Sequence, residues 1–302
     1  MRRWLGYIVL TLAVVGAGAY YWLIVDASGP SGGSYSIDMA EVRSLANSIH
    51  NDKPAEIRVE TISAFKMPFT IMIAGESWTE TKVPVYSYQL VLPGSTIVID
   101  TAIDGAQAAK DKDPTFDPAA YARMQTAMVN ASTVVITHEH PDHIGGLVAH
   151  PQLPAVLAHT RLTKEQIDHP EKMFGLRFPP GALTGYAPLT YERYYPLAPG
   201  VVLIKAPGHT PGSQLVFVQL ANGKEYLFLG DVAWRWENVE RVRSRARYVS
   251  WAMGEDRDAV LNELAGLKRL HEAEPNLIIV PGHDIKLMAG LKAAGAFAGT
   301  FK

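Results

Sequence analysis

Three histidines and an aspartate fall within six residues of this chain, in the run T-H-E-H-P-D-H-I-G-G. They are His138, His140, Asp142 and His143. Imidazoles and carboxylates are ligands that Zn²⁺ and Fe²⁺ accept, and it is costly to crowd so many titratable groups together without a metal. The run therefore predicts a metal site, and the fold has to bring distant ligands to it.

Three further candidate ligands follow along the chain. His209 lies in A-P-G-H-T-P-G-S, Asp231 in L-F-L-G-D and His283 in V-P-G-H-D. Each of the four ligand segments comes just after a predicted strand; these strands are Thr133–Thr137, Val201–Lys205, Glu225–Leu229 and Leu277–Val280. Strands that end at one rim bring their loops together, so the sequence predicts that the ligands converge.

The remaining pattern is a mixture of strands and helices. Helices are predicted to open at Asp38, over Pro118–Val129 with Asp117 as N-cap, and over Asp256–His271. Further strands are predicted at Ile57–Ile62, Phe69–Ala74, Val85–Leu92, Thr96–Asp100 and Gln214–Leu220, with a hairpin at Pro93–Gly94. Strand-rich halves flanked by helices predict an α/β sandwich.

The ordered set of seven residues resembles the metallo-β-lactamase-fold hydrolases, whose motif H-x-H-x-D-H is matched residue for residue. The resemblance covers residues 57–290 and implies a four-layer αββα sandwich. It also implies two metal sites holding Zn²⁺, with iron or manganese as the alternatives. The first site would use His138, His140 and His209, the second Asp142, His143 and His283, and Asp231 would bridge them.

Two neighbours of the ligands also have predicted roles. Asp142 is the candidate catalytic residue, because it could handle a proton as a reaction intermediate collapses. Asp100, which ends the strand T-I-V-I-D, resembles the family's supporting aspartate and is expected to contact a ligand histidine; a plain turn residue is the alternative. The histidines outside the seven are expected to be ordinary loop residues: His50, His150, His159, His169 and His271.

The N-terminus predicts a membrane helix. Arg2 and Arg3 precede 22 uncharged residues, Trp4–Val25, which are enough to cross a hydrocarbon core of roughly 30 Å. The basic flank predicts an inner-membrane protein with its bulk in the periplasm. A cleaved signal peptide with a secreted product, or a buried core helix, are the alternatives. The predicted organisation is an anchor at residues 1–25, a flexible tether at 26–34 and a hydrolase domain at 35–302.

The resemblance implies that a metal-bridging hydroxide cleaves an ester or lactone bond of a small-molecule substrate. Asp231 disfavours antibiotic cleavage, because the antibiotic-cleaving members typically lack it. Phosphodiester, sulfate ester or thioester hydrolysis, and a di-iron oxidoreductase, remain alternatives. The net charge of −2 gives no reason to expect nucleic acid. Two segments, Arg161–Leu197 and Trp234–Trp251, are predicted to flank the substrate, and the arginines of the second are expected to form a solvated face.

Overall fold

Two five-stranded sheets form the centre of the protein in a computed structural model that describes residues 2–110 and 113–302. The first sheet has the order β1-β2-β3-β4-β5 and the second the order β10-β9-β8-β7-β6. The pairs β3–β4, β4–β5 and β9–β10 are parallel and the others antiparallel. The strands are β1 Glu56–Pro68, β2 Glu80–Leu92, β3 Ser95–Ile99, β4 Thr133–Val135, β5 Thr160–Arg161, β6 Tyr194–Ala198, β7 Val201–Lys205, β8 Gln214–Gln219, β9 Glu225–Phe228 and β10 Ile278–Val280.

Apart from the N-terminal helix, the helices cover the outer faces of the sheets or connect their strands. The helices are α1 Arg2–Tyr20, α2 Met39–Ala46, α3 Phe69–Met72, α4 Gly105–Lys110, α5 Pro118–Asn130, α6 Pro141–Val148, α7 Leu153–Leu157, α8 Lys164–Asp168, α9 Trp236–Arg241, α10 Arg247–Met253, α11 Arg257–Ala273 and α12 Ile285–Ala293. A π-helical turn, Tyr21–Val25, extends α1. The N-caps Asp38, Asp117 and Asp256 each accept a hydrogen bond from the first turn of their helix.

Alternation along the strands explains the four layers. In β7, Val201 and Leu203 belong to the cluster between the two sheets, whereas Val202 and Ile204 face α2 and α11. Successive side chains of a strand point to opposite faces, so a wholly apolar strand is buried on both sides. On the other sheet, α5, α6 and α7 pack over the outer face. The predicted αββα sandwich is confirmed.

One predicted strand is wrong. Phe69–Ala74 contains the helix α3, between the long strands β1 and β2, and Thr70 and Met72 are buried. The run is apolar throughout, so it lacks the alternation that separates a strand from a buried helical turn. The Ile73 N–H donates to the Phe69 carbonyl (3.1 Å), which closes the turn. The hairpin at Pro93–Gly94 is confirmed by the pairing of β2 with β3.

The predicted substrate segment Arg161–Leu197 is largely structural. It contains α8 and most of β6, and three of its tyrosine hydroxyls make ordered hydrogen bonds within the fold. Tyr186 donates to the Thr160 carbonyl (2.7 Å), and Tyr191 donates to Gln214 Oε1 (2.6 Å). Tyr194 accepts from the N–H of Asp38 (2.8 Å). Only the part around Phe174–Arg177 reaches the cavity described below.

The N-terminal helix stands apart from the sandwich. Residues Arg3–Val25 form one helix long and apolar enough to cross a membrane, and its most apolar stretch is not buried against the rest of the chain. The alternative of a buried core helix is therefore wrong. The tether predicted at residues 26–34 is fastened rather than free, since Asn262 Nδ2 donates to the Gly32 carbonyl (2.7 Å) and Arg257 donates to the Asp26 carbonyl (3.1 Å). Met1 lies outside the described residues.

Candidate metal centre

Loops from both sheets meet at one edge of the sandwich and carry the seven predicted residues. The first four follow β4, and His140 occupies the N-cap position of α6, with Pro141 at the first helical position. Proline is suited to that position because its ring presets the helical φ and the first N–H needs no helical partner. The loops after β7, β9 and β10 supply His209, Asp231 and His283. The predicted convergence at strand ends is confirmed.

The first group of side chains comprises His138, His140, His209 and Asp231, all buried, with ligand atoms within 4.8 Å of one another. His209 Nε2 lies 2.9 Å from His140 Nδ1. Asp231 Oδ2 lies 3.5 Å from His209 Nε2 and 3.7 Å from His138 Nε2. Three imidazoles and a carboxylate oxygen thus face one small space.

The second group comprises Asp142, His143, His283 and, again, Asp231. Here the other oxygen of Asp231, Oδ1, is used: it lies 3.0 Å from His283 Nε2 and 3.2 Å from His143 Nε2. Asp142 Oδ2 lies 3.5 Å from His283 Nε2. Asp231 therefore offers one oxygen to each group, as a residue that bridges two ions would.

Several atoms that face these two spaces have no hydrogen-bond partner. Within the two groups these are Nε2 of His138, Nε2 of His143 and Oδ1 of Asp231, all buried. Buried polar atoms are normally paired, and three that point together need a common partner. Imidazole nitrogen and carboxylate oxygen are the donor set for divalent zinc or iron, so the residues fit a pair of such ions.

The outward-facing nitrogens, in contrast, are held by the protein. His143 Nδ1 lies 2.8 Å from Asp100 Oδ2, and His283 Nδ1 lies 2.7 Å from the Pro84 carbonyl. Asp100 also accepts from the N–H (2.6 Å) and hydroxyl (2.8 Å) of Thr137, and its own backbone has a φ of 58°. Such bonds fix the ring orientation of metal-binding histidines. The expected contact of Asp100 with a candidate ligand histidine is confirmed.

A buried ion pair behind His209 was missed by sequence reasoning. Glu255 Oε1 lies 2.5 Å from His209 Nδ1 and 2.5 Å from Arg245 Nη1, and Arg245 also donates to the Asp231 carbonyl. The side chains of Arg245 and Glu255 are 2% and 0% exposed. The solvated face expected for the arginines is therefore wrong for Arg245, and also for the buried Arg235. Trp234 was missed too: its Nε1–H donates to Asp231 Oδ2 (2.6 Å).

Burial sets the protonation of most of these histidines. It lowers the pKa of His138 and His209 well below the usual range and that of His140 to about 4, so these imidazoles are neutral at pH 7. For His143, burial acts in the same direction, but the carboxylates around it, led by Asp231, outweigh it and raise its pKa. The first group thus presents free lone pairs, the form in which imidazole binds metals.

Gly282 lies directly behind the shared aspartate. A Cβ added there would lie 2.5 Å from Asp231 Oδ1 and 2.7 Å from the Gly230 carbonyl oxygen. We expect Gly282→Ala to displace that carboxylate and to lower hydrolytic activity by about 10²-fold, since a shift of 1 Å costs that much. Gly290→Ala in α12, where nothing lies within 4 Å of the added Cβ, is the matched control. Unchanged metal content and activity in Gly282→Ala would contradict the placement.

Glu263 should make stability depend on pH. Burial raises its pKa to about 8, from 4.5, although the Gly208 N–H donates to its Oε1 (2.9 Å). The folded chain therefore binds a proton that the unfolded chain releases between those values, and this contribution to stability is lost as pH rises through 8. We compare the unfolding free energy of Glu263→Gln with that of the wild type at each pH. The difference should be about 1–3 kcal/mol more favourable to the variant at pH 9 than at pH 5.

Urea unfolding of both proteins at the two pH values measures this difference. Glu272→Gln, which is exposed on the same helix α11, is the matched control. If the substitution Glu263→Gln changed the unfolding free energy by the same amount at pH 5 and pH 9, Glu263 would not be a neutral buried acid.

A cavity of about 950 Å³ lies over the two groups. His140, Asp142 and Asp231 are at its floor, and most of its wall is apolar, formed by Phe65, Ile103, Phe174, Leu176, Trp234 and Met253. Four charged residues also line it: Asp104, Lys110, Asp113 and Arg177. Among the described residues that line it, there is no tyrosine, and none of the arginines of Trp234–Trp251 is present. The cavity is large enough for a small molecule with an apolar tail.

The chain belongs to the metallo-β-lactamase superfamily, whose family model matches residues 81–283. Within this family's fold, the two groups of side chains offer the donor set of a two-metal site. An N-acyl homoserine lactonase of a Bacillus species is 29% identical over 162 residues, 53% of this chain and 58% of the relative. The N-acyl homoserine lactonase AiiA of Bacillus thuringiensis subsp. kurstaki is 30% identical over 156 residues, 51% of this chain and 56% of the relative. The chain thus spans somewhat over half the length of these relatives.

Solved structures share the fold at low sequence identity. An N-acyl homoserine lactone hydrolase, solved with N-hexanoyl-L-homoserine at its catalytic metal centre, has a TM-score of 0.62 at 18% identity. It is matched over 79% of this chain and 96% of that one. AidC, a dizinc quorum-quenching lactonase, has a TM-score of 0.53 at 15% identity, over 80% of this chain and 92% of its own.

Proposed function

We propose that this chain is a membrane-anchored dinuclear zinc hydrolase that cleaves a lactone or ester bond. The observation that carries the proposal is Asp231, which offers one oxygen to each of two buried groups of ligands at the floor of an apolar cavity. The relatives named as lactonases support the bond class. Residues 1–25 would form the anchor, 26–34 the connection and 35–302 the hydrolase.

The proposed ligands are those predicted from the sequence: His138, His140 and His209 for one ion, Asp142, His143 and His283 for the other, and Asp231 for both. When bound, two divalent cations would polarise the scissile carbonyl and make a nucleophile of water near neutral pH. In the reaction, a water oxygen bonds to the carbonyl carbon and the water gives up a proton, the acyl C–O bond breaks, and the leaving alkoxide takes up a proton. A lactone gives one hydroxy acid and an ester gives an acid and an alcohol.

The chain's own residues position this reaction. Asp142 lies at the cavity floor with its side chain 23% exposed, so it is placed to hold a proton and pass it to the leaving oxygen. Trp234 holds Asp231 through its indole N–H and also forms part of the cavity wall. Phe174 and Met253 line the cavity and offer apolar contact to an acyl chain.

Lys110 and Arg177 line the cavity together with Asp104 and Asp113, whereas three arginines of Trp234–Trp251 are paired elsewhere in the fold. Arg241 is paired with Glu76, Arg245 with Glu255, and Arg247 with Asp26. These three arginines are engaged within the fold rather than directed at a substrate, which gives no support to a phosphodiester or sulfate ester.

A substrate panel tests the proposal. The full chain, loaded with zinc, should hydrolyse lactones or esters in preference to thioesters, phosphodiesters and sulfate esters. His140→Ala combined with Asp142→Ala should lower this activity by about 10³-fold or more, because several kcal/mol of charge stabilisation would be lost. His169→Ala, at a histidine outside the cavity, is the control. Turnover that survives the double change, or iron with oxygen uptake, would overturn the proposal.

The N-terminal helix supports the proposed location. A helix that is apolar on all sides and uncovered by the rest of the chain is suited to lipid. With Arg2 and Arg3 before the span, the hydrolase would lie on the periplasmic side of the inner membrane. Processing of the chain at Ala17–Ala19 in cells would instead favour secretion, and an N-terminal sequence of the purified protein decides between them.

A further inference from the structure

The C-terminal end of the N-terminal helix packs against α10. The guanidinium of Arg247 in α10 lies 4.9 Å from the centre of the Trp22 ring and forms an ion pair with Asp26. On the other side, the Gly75 N–H donates to the Ile24 carbonyl (3.0 Å). These contacts fix the orientation of the sandwich relative to the point where the apolar helix ends.

Helix α10 also forms part of the active-site cavity. Met253, at its last turn, lines that cavity, whereas Trp251 lines a second cavity of about 500 Å³ together with Trp22. The two residues are two positions apart, so their side chains project from nearly opposite sides of this short helix, which is about 10 Å wide. Lys172 Nζ donates to the Met253 carbonyl (3.1 Å), which holds the loop that carries Phe174 against the same helix end. The active-site cavity and the end of the apolar helix therefore lie on either side of α10.

Exposed aromatic side chains collect at this end of the molecule. Outside residues 2–25, four large apolar side chains of the described chain are exposed, and three of them are Trp78, Phe174 and Trp251. Trp251 is 82% exposed, and Trp78 Nε1 donates to the hydroxyl of Tyr20 (3.0 Å), near the end of α1. The ring of Phe174 lies 5.0 Å from the His140 ring. Tryptophan with one apolar and one polar side is the residue enriched at membrane–water interfaces.

We propose that Trp78, Phe174 and Trp251 lie in the interface of the bilayer crossed by α1, so that the cavity opens at the membrane surface. The cavity then receives its substrate from the lipid phase, and the substrate is a lactone or ester with a long acyl chain. The substrate class rests on the proposed hydrolysis and the membrane contact rests on the proposed anchor, and the two are tested separately. Each added methylene raises partition into lipid roughly fourfold, so long-chain substrates are concentrated where the cavity opens.

Site-specific probes test the contact directly. The chain has no cysteine, so Trp251→Cys, Phe174→Cys and Asn222→Cys each give a unique site for a fluorophore. Asn222 lies in the β8–β9 turn, beyond the end of β8 that is remote from the ligand loops. In phosphatidylcholine vesicles with nitroxide-labelled acyl chains, probes at 251 and 174 should be quenched several-fold more than the probe at 222. Equal quenching at the three positions overturns the proposal.

A kinetic comparison tests substrate entry. For the full chain in the same vesicles, Trp251→Gln should raise KM for a dodecanoyl lactone by about threefold or more and leave KM for a butanoyl lactone unchanged. Ile49→Gln, at the exposed apolar residue outside this surface, is the control. Equal effects on both lactones overturn entry from the lipid phase. If no lactone or ester is hydrolysed but the probes at 251 and 174 are quenched, the proposed function fails and the membrane contact stands.

Discussion

Asp231→Ala should lower bound divalent metal from about two ions per chain to one or fewer and reduce hydrolysis by about 10³-fold or more. The reason is that Asp231 is the one residue common to both groups, with Oδ2 3.5 Å from His209 Nε2 and Oδ1 3.0 Å from His283 Nε2. Removing a ligand that served a single ion would leave the other group complete. Metal content of the purified variant by mass spectrometry, together with its turnover, measures both effects.

Asp168→Ala is the matched control, since Asp168 is an exposed carboxylate paired with Lys164 outside the cavity. It should retain wild-type metal content and turnover. If Asp231→Ala still bound two ions, the bridging role assigned to this residue would be wrong, even if activity were reduced.

Arg245→Leu should destabilise the fold by about 3–5 kcal/mol, the usual cost of leaving one partner of a buried ion pair uncompensated. The side chain of Glu255 is 0% exposed, and it would lose the guanidinium 2.5 Å away while still facing His209. The Asp231 carbonyl would lose a donor as well. Urea unfolding of the wild type and the variant, both without metal, measures the difference.

Two further variants separate pairing from packing. Arg241→Leu removes an exposed pair with Glu76 and should cost less than about 1 kcal/mol. The double variant Arg245→Leu with Glu255→Leu removes both buried charges and should recover part of the lost stability. If Arg245→Leu cost no more than Arg241→Leu, the buried pair would not stabilise the fold.

The convergence of the seven candidate ligands was predictable because they follow strand ends and are closely spaced. The run after β4 places four candidates within six residues, and the loops after β7, β9 and β10 end at the same edge. What supports the ligands was less accessible from sequence. Glu255 is 46 residues from His209 in the chain, and only the packing of the segment after α9 brings them together.

Charge patterning failed for a physical reason in that segment. Arginines at every second position of a segment are usually solvated. Whether one of them is buried depends on a buried acid elsewhere in the chain, which the pattern does not locate. The prediction that Arg161–Leu197 flanks the substrate was wrong for most of that segment, since Tyr186 and Tyr191, for example, make hydrogen bonds within the fold. The helix α3 was missed because a short, mostly apolar run shows no hydrophobic periodicity that distinguishes a helix from a strand.

The proposed hydrolysis requires two metal ions that act together in one chain. The direct measurement is a titration of the metal-free full chain with zinc, while lactone hydrolysis is followed at each addition. We predict that activity rises with added metal and reaches its plateau at about two equivalents per chain. Full hydrolysis by the metal-free chain, or a plateau at one equivalent, would contradict it.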